Sequence, residues 1–281
     1  MTITPFQSLA CPLDGAPLER VGASLRCGSG HSFDVAALGY THLLPVQNKR
    51  SLDPGDSKAM VAARRRFLNS GAYQPIAAAV NHALLDGLPT DGIASCLDAG
   101  CGEGYYLRQL AQAAEADRPL ALVGVDISKW AVAAAARQDK RPNWLVASNA
   151  RLPVLPATVD RVLCLFGFPV WPEFARVLKA GGELLLVDPG ADHLRELRAI
   201  IYPTLKPERD GASAVPPGFA PLPGETVRYT LELGTREAIA DLLAMTPHLH
   251  RATAEGRARV SALEALTLTV DVRLTRLRRG A

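Results

Sequence analysis

Apolar and polar residues alternate along the middle of the chain in a pattern that switches repeatedly between strand and helix. Short apolar runs bounded by turn residues predict strands, and apolar residues recurring every three or four positions predict helices. From residue 93 to residue 202 the two kinds of segment follow one another, which is typical of a doubly wound sheet. The predicted strands are 93–98, 120–126, 144–147, 159–166 and 183–187, and the predicted helices are 104–114, 129–138, 172–179 and 192–202.

The part of the chain before this sheet divides in two. Residues 8–45 show neither the helical nor the strand pattern for long. A hydrophobic core this small normally needs a metal ion or a disulfide to be stable. Helices are predicted at 57–70, where Asp56 or Ser57 can cap the start, and at 75–85, where Pro75 suits the first turn. We therefore predict three parts: a module at 1–50, a helical linker that contributes to the cofactor site at 51–90, and the main domain at 91–281.

The segment after the fifth predicted strand begins with a region rich in proline and glycine. Residues 206–225 predict a mobile surface loop or lid, because these residue types interrupt regular structure. A strand at 226–233, a helix at 235–244 and a long alternating strand at 265–277 complete the predicted domain.

Composition is that of a folded globular protein, with 48% hydrophobic and 21% charged residues. No apolar run approaches the roughly 20 residues that span a bilayer, and the N-terminus has no secretory pattern, so we expect a cytoplasmic protein without a membrane partner. Five scattered cysteines do not suggest a disulfide framework. The net charge of +3 lies in residues 1–76, which hold eight Lys/Arg and five Asp/Glu, a weak indication of a polyanionic partner.

A glycine-rich loop follows the first strand of the predicted sheet. Asp98 ends the strand, and the loop continues with Gly100, Gly102 and Gly104 before a helix. Glycine allows positive φ and a close approach of a ligand to the backbone. Asp126 ends the next strand, where a carboxylate can accept hydrogen bonds from a ribose diol. NAD-dependent dehydrogenases share this pair, but the spacing GxGxG rather than GxGxxG favours a methyltransferase; the polar pair Ser148 and Asn149 is then expected near an adenine ring, or else forms an ordinary loop.

A cysteine and histidine set lies in the N-terminal module. The spacing is CxxD followed by CxxxH, and the four side chains are Cys11, Asp14, Cys27 and His31. Two such turns can direct four donors to the corners of a tetrahedron, which is the geometry of structural zinc sites. Asp14 is a harder donor than such sites usually have, so the alternative is a module that packs without metal.

Motifs outside the glycine loop occur in a specific order along nearly the whole chain. They include RRRFL at 64–68, GAYQP at 71–75, LDAGCGEGYY at 97–106, SNARLP at 148–153, PGADH at 189–193 and MTP at 245–247. Residues 93–190 resemble class I methyltransferases. Together with the Cys/His set, the full series resembles the large-subunit (23S) rRNA guanine-N1 methyltransferases, a family that includes macrolide-resistance enzymes.

The resemblance implies an α/β fold, a class I Rossmann-like methyltransferase sheet with a small N-terminal zinc-ribbon-like module. It implies an enzyme that uses S-adenosylmethionine (AdoMet) to methylate N1 of one guanine in a 23S rRNA hairpin loop, and that works as a dimer. Family members hold zinc at the positions of the Cys/His set, although Asp14 stands where they usually have cysteine. The AdoMet contacts that carry over are Tyr73, Gly102, Glu103 and His193.

Two chemical requirements of such a reaction can be matched to residues. Guanine N1 must lose a proton, either to a carboxylate, for which Asp53 and Asp56 are candidates, or with a basic environment that stabilises the enolate oxygen, for which Arg64–Arg66 are candidates. Each is explained as easily by a helix cap or a solvated helix face, so no general base is assigned. The target base must be turned out of its loop, and basic side chains would hold the neighbouring phosphates. These are Lys49, Arg50, Arg64, Arg65 and Arg66, with a solvated basic helix face as the alternative.

Two other functions stay open at the level of sequence. One is a small-molecule AdoMet-dependent methyltransferase with a metal-bound or degenerate N-terminal module. The other is a non-catalytic, RNA-associated protein that binds the cofactor, against which the intact glycine loop and Asp126 argue. Salt-sensitive RNA binding would separate the first from an rRNA enzyme.

Overall fold

The apolar runs of the chain form the centre of one mixed sheet. The computed structural model describes residues 3–48, 51, 53–89, 91–114, 119–202, 204 and 215–280. The strands are β1 (Ile3–Thr4), β2 (Glu19–Val21), β3 (Ser24–Arg26), β4 (Ser32–Asp34), β5 (Tyr40–His42), β6 (Ala94–Ala99), β7 (Leu120–Asp126), β8 (Asn143–Val146), β9 (Val159–Leu165), β10 (Leu178–Pro189), β11 (Phe219–Leu233) and β12 (Leu266–Arg279).

Helices connect most of these strands. They are α1 (Lys58–Asn69), α2 (Gln74–Leu85), α3 (Tyr105–Ala113), α4 (Lys129–Gln138), α5 (Trp171–Val177), α6 (Arg195–Ile201), α7 (Arg236–Met245), α8 (His248–Arg251) and α9 (Ala254–Ser261), with a 3-10 turn at Val46–Asn48. The Ser57 hydroxyl accepts a hydrogen bond from the backbone N–H of Met60 and caps α1 as predicted. The short helices α8 and α9 were not predicted.

The main sheet has the strand order β11-β12-β10-β9-β6-β7-β8-β5, and β1 also pairs with β7. Strands β5 to β10 pair in parallel, whereas β12 runs antiparallel to both of its neighbours, β10 and β11. The chain turns from β6 to β7 and β8 on one side and then crosses back to β9 and β10 on the other. Ligands of such sheets bind at the carboxyl ends of the strands where the order reverses, which is here between β6 and β9.

Most of the predicted elements are confirmed with small shifts at their ends. The strand at 120–126 and the helix at 129–138 have the predicted bounds. The helix predicted at 172–179 ends at Val177, because Leu178 already pairs with Val159 of β9. The helix predicted at 192–202 begins only at Arg195, because Leu194 has a φ of 53° and breaks the helical turn before it.

The predicted lid at 206–225 is wrong for its second half. Residues 206–214 lie outside the described part of the chain, but Phe219–Leu233 is one strand that pairs with β12 along most of its length. Its register shifts between Leu222 and Glu225, in the Pro/Gly-rich stretch. An edge strand tolerates proline because only one of its sides needs backbone donors. The strand predicted at 226–233 is therefore the second half of a longer one.

The N-terminal module is joined to the main sheet. β2, β3 and β4 form a small antiparallel sheet, while β1 pairs with β7 and β5 pairs with β8 in parallel. Phe6, Leu9 and Leu43 share one hydrophobic core with Leu97 and Val162 of the central strands. The boundaries at residues 50 and 90 stay predictions. Within the described residues, no helix is long and apolar enough to cross a membrane.

Candidate active site and metal centre

The glycine-rich loop leaves β6 at Ala99 with a backbone that requires glycine. Gly100, Gly102 and Gly104 have φ values of 102°, 54° and 81°. A Cβ on Gly104 would lie 2.6 Å from the Trp144 ring, so this end of the loop is packed against the core. A Cβ on Gly100 would meet no atom nearer than the Asn149 side-chain nitrogen at 3.8 Å. The open space beside Gly100 fits the close approach of a ligand to the backbone.

Asp126 lies at the end of β7, beside the same loop. One carboxylate oxygen accepts a hydrogen bond from the Gly102 N–H at 2.9 Å, and the other accepts one from the Ser128 N–H at 2.8 Å. Burial raises the pKa of this carboxyl. The two backbone donors fix the carboxylate and leave lone pairs free, as a ribose diol requires.

Asp98 is a buried carboxyl group for which the structure shows no hydrogen-bond partner. Both side-chain oxygens are unpaired, and the residue has no exposed surface. Burial, with a smaller contribution from the charge of Asp126, raises its pKa to about 8. The hydroxyl of Tyr106, on the first turn of α3, is also buried and unpaired. Buried polar atoms without partners indicate a polar ligand, and the amino group of AdoMet's methionine moiety suits a carboxylate.

Tyr73 and His193 meet although they are 120 residues apart. The Tyr73 hydroxyl oxygen lies 3.5 Å from His193 Nε2, and both residues are buried. The Asp271 backbone N–H donates to His193 Nδ1, so Nε2 carries the proton of the neutral ring. Burial lowers the pKa of His193 to about 4. The Phe166 ring stacks on His193, with ring centres 5.8 Å apart and an interplanar angle of 24°.

The other predicted cofactor residues, Glu103, Ser148 and Asn149, differ in burial and in their hydrogen bonds. The Glu103 carboxylate is buried and accepts hydrogen bonds from Arg108 and Gln138, which fix its position beside the glycine loop. The Ser148 hydroxyl accepts from the Ala150 N–H at 3.2 Å. Ser148 and Asn149 are half-buried after β8, and the Asn149 side chain lies beside Gly100.

The basic residues predicted to hold RNA do not all lie in the same surroundings. Lys49 and Arg50 lie outside the described residues. Arg64 pairs with Asp56 and lies against Gly102, so its charge is at the glycine loop. Arg66 donates to Asp241 at 2.8 Å, although most of its side chain is exposed, and Arg65 is exposed. Asp53, which was a candidate base together with Asp56, accepts a hydrogen bond from the Trp130 indole.

The Cys/His set of the N-terminal module closes into one cluster. His31 Nδ1 lies 3.5 Å from Cys11 Sγ, 3.4 Å from Cys27 Sγ and 3.1 Å from Asp14 Oδ2. Cys27 Sγ lies 3.5 Å from the same Asp14 oxygen, and all four ligand atoms lie within 4.8 Å of one another. The Ala16 N–H binds the other Asp14 oxygen and holds the pKa of this carboxyl well below its ordinary value.

These distances fit a tetrahedral zinc ion. Bonds of about 2.3 Å to sulfur and about 2.0 Å to nitrogen or oxygen separate the ligand atoms by about 3.3 Å for an N/O pair and about 3.5 Å for an N/S pair. The four separations given above, 3.1 to 3.5 Å, lie close to these values. The residues present therefore fit the metal, with two thiolates, one imidazole nitrogen and the Asp14 carboxylate as the four donors.

Sequence reasoning missed Phe166, Phe168 and Tyr106. Tyr106 is the second tyrosine of the glycine motif, and its place in the predicted helix gives no indication that its hydroxyl is buried without a partner. Phe166 ends a predicted strand. The fold brings it beside Tyr73, which is 93 residues earlier in the chain, and His193, which is 27 residues later. Phe168 is 89% exposed, which an apolar residue type does not suggest.

A parallel sheet with a reversed last strand, a glycine loop and two acidic strand ends define a class I AdoMet-dependent methyltransferase. Two family models match the chain: "RlmA, N-terminal" over residues 9–52 and "Methyltransferase domain" over residues 97–186. The first covers the Cys/His cluster, and the second covers β6 to the middle of β10. The dehydrogenase alternative is thereby excluded.

The relatives of the chain match over most of its length. A 23S rRNA (guanine(748)-N(1))-methyltransferase from Streptomyces fradiae is 36% identical over 85% of this chain and 84% of its own. Candidate 23S rRNA (guanine-N(1)-)-methyltransferases from Micromonospora griseorubida and Bacillus subtilis are 37% and 30% identical, and cover 96% and 95% of this chain and 97% and 95% of their own. The chain belongs to the 23S rRNA (guanine-N1) methyltransferase family.

Among solved structures, the YcgJ protein from Bacillus subtilis has a TM-score of 0.46 and 19% identity over 73% of this chain and 98% of its own.

Proposed function

We propose that this protein transfers the methyl group of AdoMet to N1 of a guanine in a hairpin loop of 23S rRNA. The observation that carries the proposal is 36% identity over 85% of the chain to an enzyme named for this reaction. The glycine loop, Asp98 and Asp126 supply the groups that the cofactor needs, so the chain has the parts of an enzyme rather than of a binding protein alone.

The cofactor would lie across the carboxyl ends of β6, β7 and β8. Bound AdoMet supplies an electrophilic methyl group on its sulfonium. In the proposed arrangement Asp98 holds the amino group, Asp126 accepts from the ribose diol and Asn149 lies towards the adenine. The N–H of His193 and the Tyr73 hydroxyl then donate from the other side. These contacts position the methyl group for in-line attack, which is the main requirement of this transfer.

The proton of guanine N1 does not go to His193. Its Nδ1 already accepts from the Asp271 N–H, its Nε2 carries the ring proton, and burial lowers the pKa of the ring to about 4. A group with this pKa is a poor base for a nitrogen acid at neutral pH. We infer that His193 acts as a neutral hydrogen-bond donor.

The RNA would be held by positive charge at the front of the chain. The net charge of +3 comes from residues 1–76, and Arg65 and Arg66 are exposed on one helix. A base in a loop has little stacking to lose, which makes it the cheapest kind to turn into a pocket. We propose that five basic side chains attract the RNA phosphates, either by direct contact or through their electrostatic field. They are Lys49, Arg50, Arg64, Arg65 and Arg66.

A methyl-transfer assay tests the function. Purified protein, labelled AdoMet and a 23S rRNA transcript should yield N1-methylguanosine in the digested RNA. RNA affinity should fall as salt rises, by about 100-fold between about 50 and 200 mM when all five cations contact phosphates of a single strand. Methylation of a small metabolite without methylation of RNA would instead support the small-molecule alternative.

The predicted assembly and location follow from the same proposal. The resemblance implies a homodimer, which light scattering on the purified protein would test. A 23S rRNA substrate places the activity in the cytoplasm.

A further inference from the structure

The carboxyl ends of the sheet divide into a cofactor side and an open side. Three of the groups proposed to hold AdoMet, Asp98, Asp126 and Asn149, follow β6, β7 and β8, on one side of the point where the strand order reverses, whereas His193 follows β10 on the other side. The first strand end on the other side is that of β9, which pairs with β6 with Asp98 opposite Leu163. The end of β9 is the strand end next to Asp98 that carries no group assigned to the cofactor, which makes it the side from which a methyl acceptor can approach.

Two phenylalanines stand at this end. Phe166 directly follows β9 and is 42% exposed, although one face of its ring is covered by His193. Phe168 is 89% exposed. We call residues 166–168 the aromatic loop. An aromatic side chain that is almost fully in water gains nothing for the fold, whereas base-to-ring stacking is the usual way to bind an unstacked nucleotide.

The backbone of the aromatic loop is held in a strained shape. Phe166 has a φ of 50°, in the left-handed region that bulky residues rarely adopt. Its N–H donates to the Val187 carbonyl at 2.8 Å, and a Cβ on Gly167 would lie 3.1 Å from Cys164 Sγ, so the loop is packed against the strand ends.

Strain of this kind concentrates at the site. Among the described residues, three non-glycine residues have positive φ, and two of them are Phe166 and Leu194, the neighbour of His193. Strained backbone is kept where surrounding structure enforces it, commonly at sites that hold a ligand. One strained residue, Phe166, carries one of the two stacked rings, and the other, Leu194, directly follows His193, which carries the second.

We infer that the aromatic loop is the stacking surface for nucleotides of the substrate loop, with Phe168 as the main contact. This inference rests on the proposed function and names the residue that receives the unstacked RNA. Phe166 keeps the loop in place through its contacts with Tyr73 and His193. Phe168 touches the substrate and takes no part in holding the cofactor.

Substitutions at Phe168 test the inference, because its exposure predicts no effect on folding. In Phe168→Ala, kcat/KM for the rRNA transcript should fall about 5- to 150-fold, the range for loss of one stacked base. Phe168→Leu should be impaired as well, and Phe168→Tyr should restore most of the activity. AdoMet affinity and the thermal midpoint should stay unchanged in all three. Ile93→Ala is the matched control: Ile93 is 54% exposed at the amino end of β6, away from the site.

The outcomes separate this inference from the proposed function. If the unmodified protein does not methylate the transcript, the proposed function fails and the inference with it. If it does, and Phe168→Ala is as active as the unmodified protein, only the inference fails. Full activity of Phe168→Leu would also overturn it, since leucine keeps apolar bulk but cannot stack. If AdoMet affinity falls in Phe168→Ala by the same factor as kcat/KM, Phe168 has a structural role, and the inference is also overturned.

Discussion

Asp98 shows at the scale of one residue how a binding site reduces stability. Its carboxyl group is fully buried and both oxygens are without a partner in the structure, a cost that an apolar side chain would avoid and that an amide, which does not ionise, would reduce. Burial gives it a pKa of about 8 in place of 3.8. Between these pH values the folded chain holds a proton that the unfolded chain has lost, so the free energy of unfolding falls as pH rises towards 8.

Replacement of this carboxyl should therefore stabilise the cofactor-free protein. Asp98→Asn should raise the thermal midpoint, and more at pH 8 than at pH 5, because asparagine removes the ionisation. The same variant should bind AdoMet about 10- to 100-fold more weakly, since a charge-assisted hydrogen bond to the amino group is lost. Thermal unfolding at both pH values and calorimetric titration with AdoMet give the two readouts.

Asp91→Asn serves as the control for this experiment, because Asp91 is exposed before β6. It should change neither quantity. A lower midpoint at pH 8 for Asp98→Asn, or undiminished AdoMet affinity, would contradict the role given to Asp98.

Short elements need support that long ones do not. β2, β3 and β4 have three residues each, too few for a stable sheet by themselves. The turns at Cys11 and Cys27 bring two buried thiols to His31 and Asp14, and a zinc ion there would tie both turns together. Metal binding to such a cluster contributes directly to folding.

Removal of zinc should expose this module selectively. After a strong chelator, Cys11 and Cys27 should react with a thiol reagent, while Cys96, Cys101 and Cys164, buried in or beside the central strands, stay protected. The thermal midpoint should fall by roughly 5 °C or more. Asp14→Cys should bind zinc roughly 10-fold more tightly, because thiolate is the softer donor. Less than one zinc ion per two chains in the purified protein, or reaction of all five thiols at once, would contradict this.

Elements that form by local periodicity could be predicted from the sequence. The strand at 120–126 and the helix at 129–138 have their pattern within their own residues. The first half of β11 could not be found this way, because its prolines and glycines are tolerated only through pairing with β12, which lies more than 50 residues later. For the same reason the pairing of β1 with β7 and of β5 with β8 was not foreseen.

Across the whole molecule, the site residues that are close in sequence could be predicted, and those that only the fold brings together could not. The glycine loop and the Cys/His cluster could be assigned from spacing, since each is compact in sequence. Tyr73 and His193 came from the resemblance alone, and their contact joins the start of α2 to the segment after β10. Phe166 and Phe168 could not be assigned, because exposure and backbone strain are properties of the folded chain.

The most direct test of the proposed function is the mass of one nucleotide in ribosomal RNA. Large-subunit rRNA from cells with and without this gene should be digested and mapped by mass spectrometry. We predict one N1-methylguanosine in a 23S hairpin loop that is present with the gene, absent without it and restored when the gene is returned. Identical modification maps in the two strains would contradict the assignment of this chain as an rRNA guanine-N1 methyltransferase.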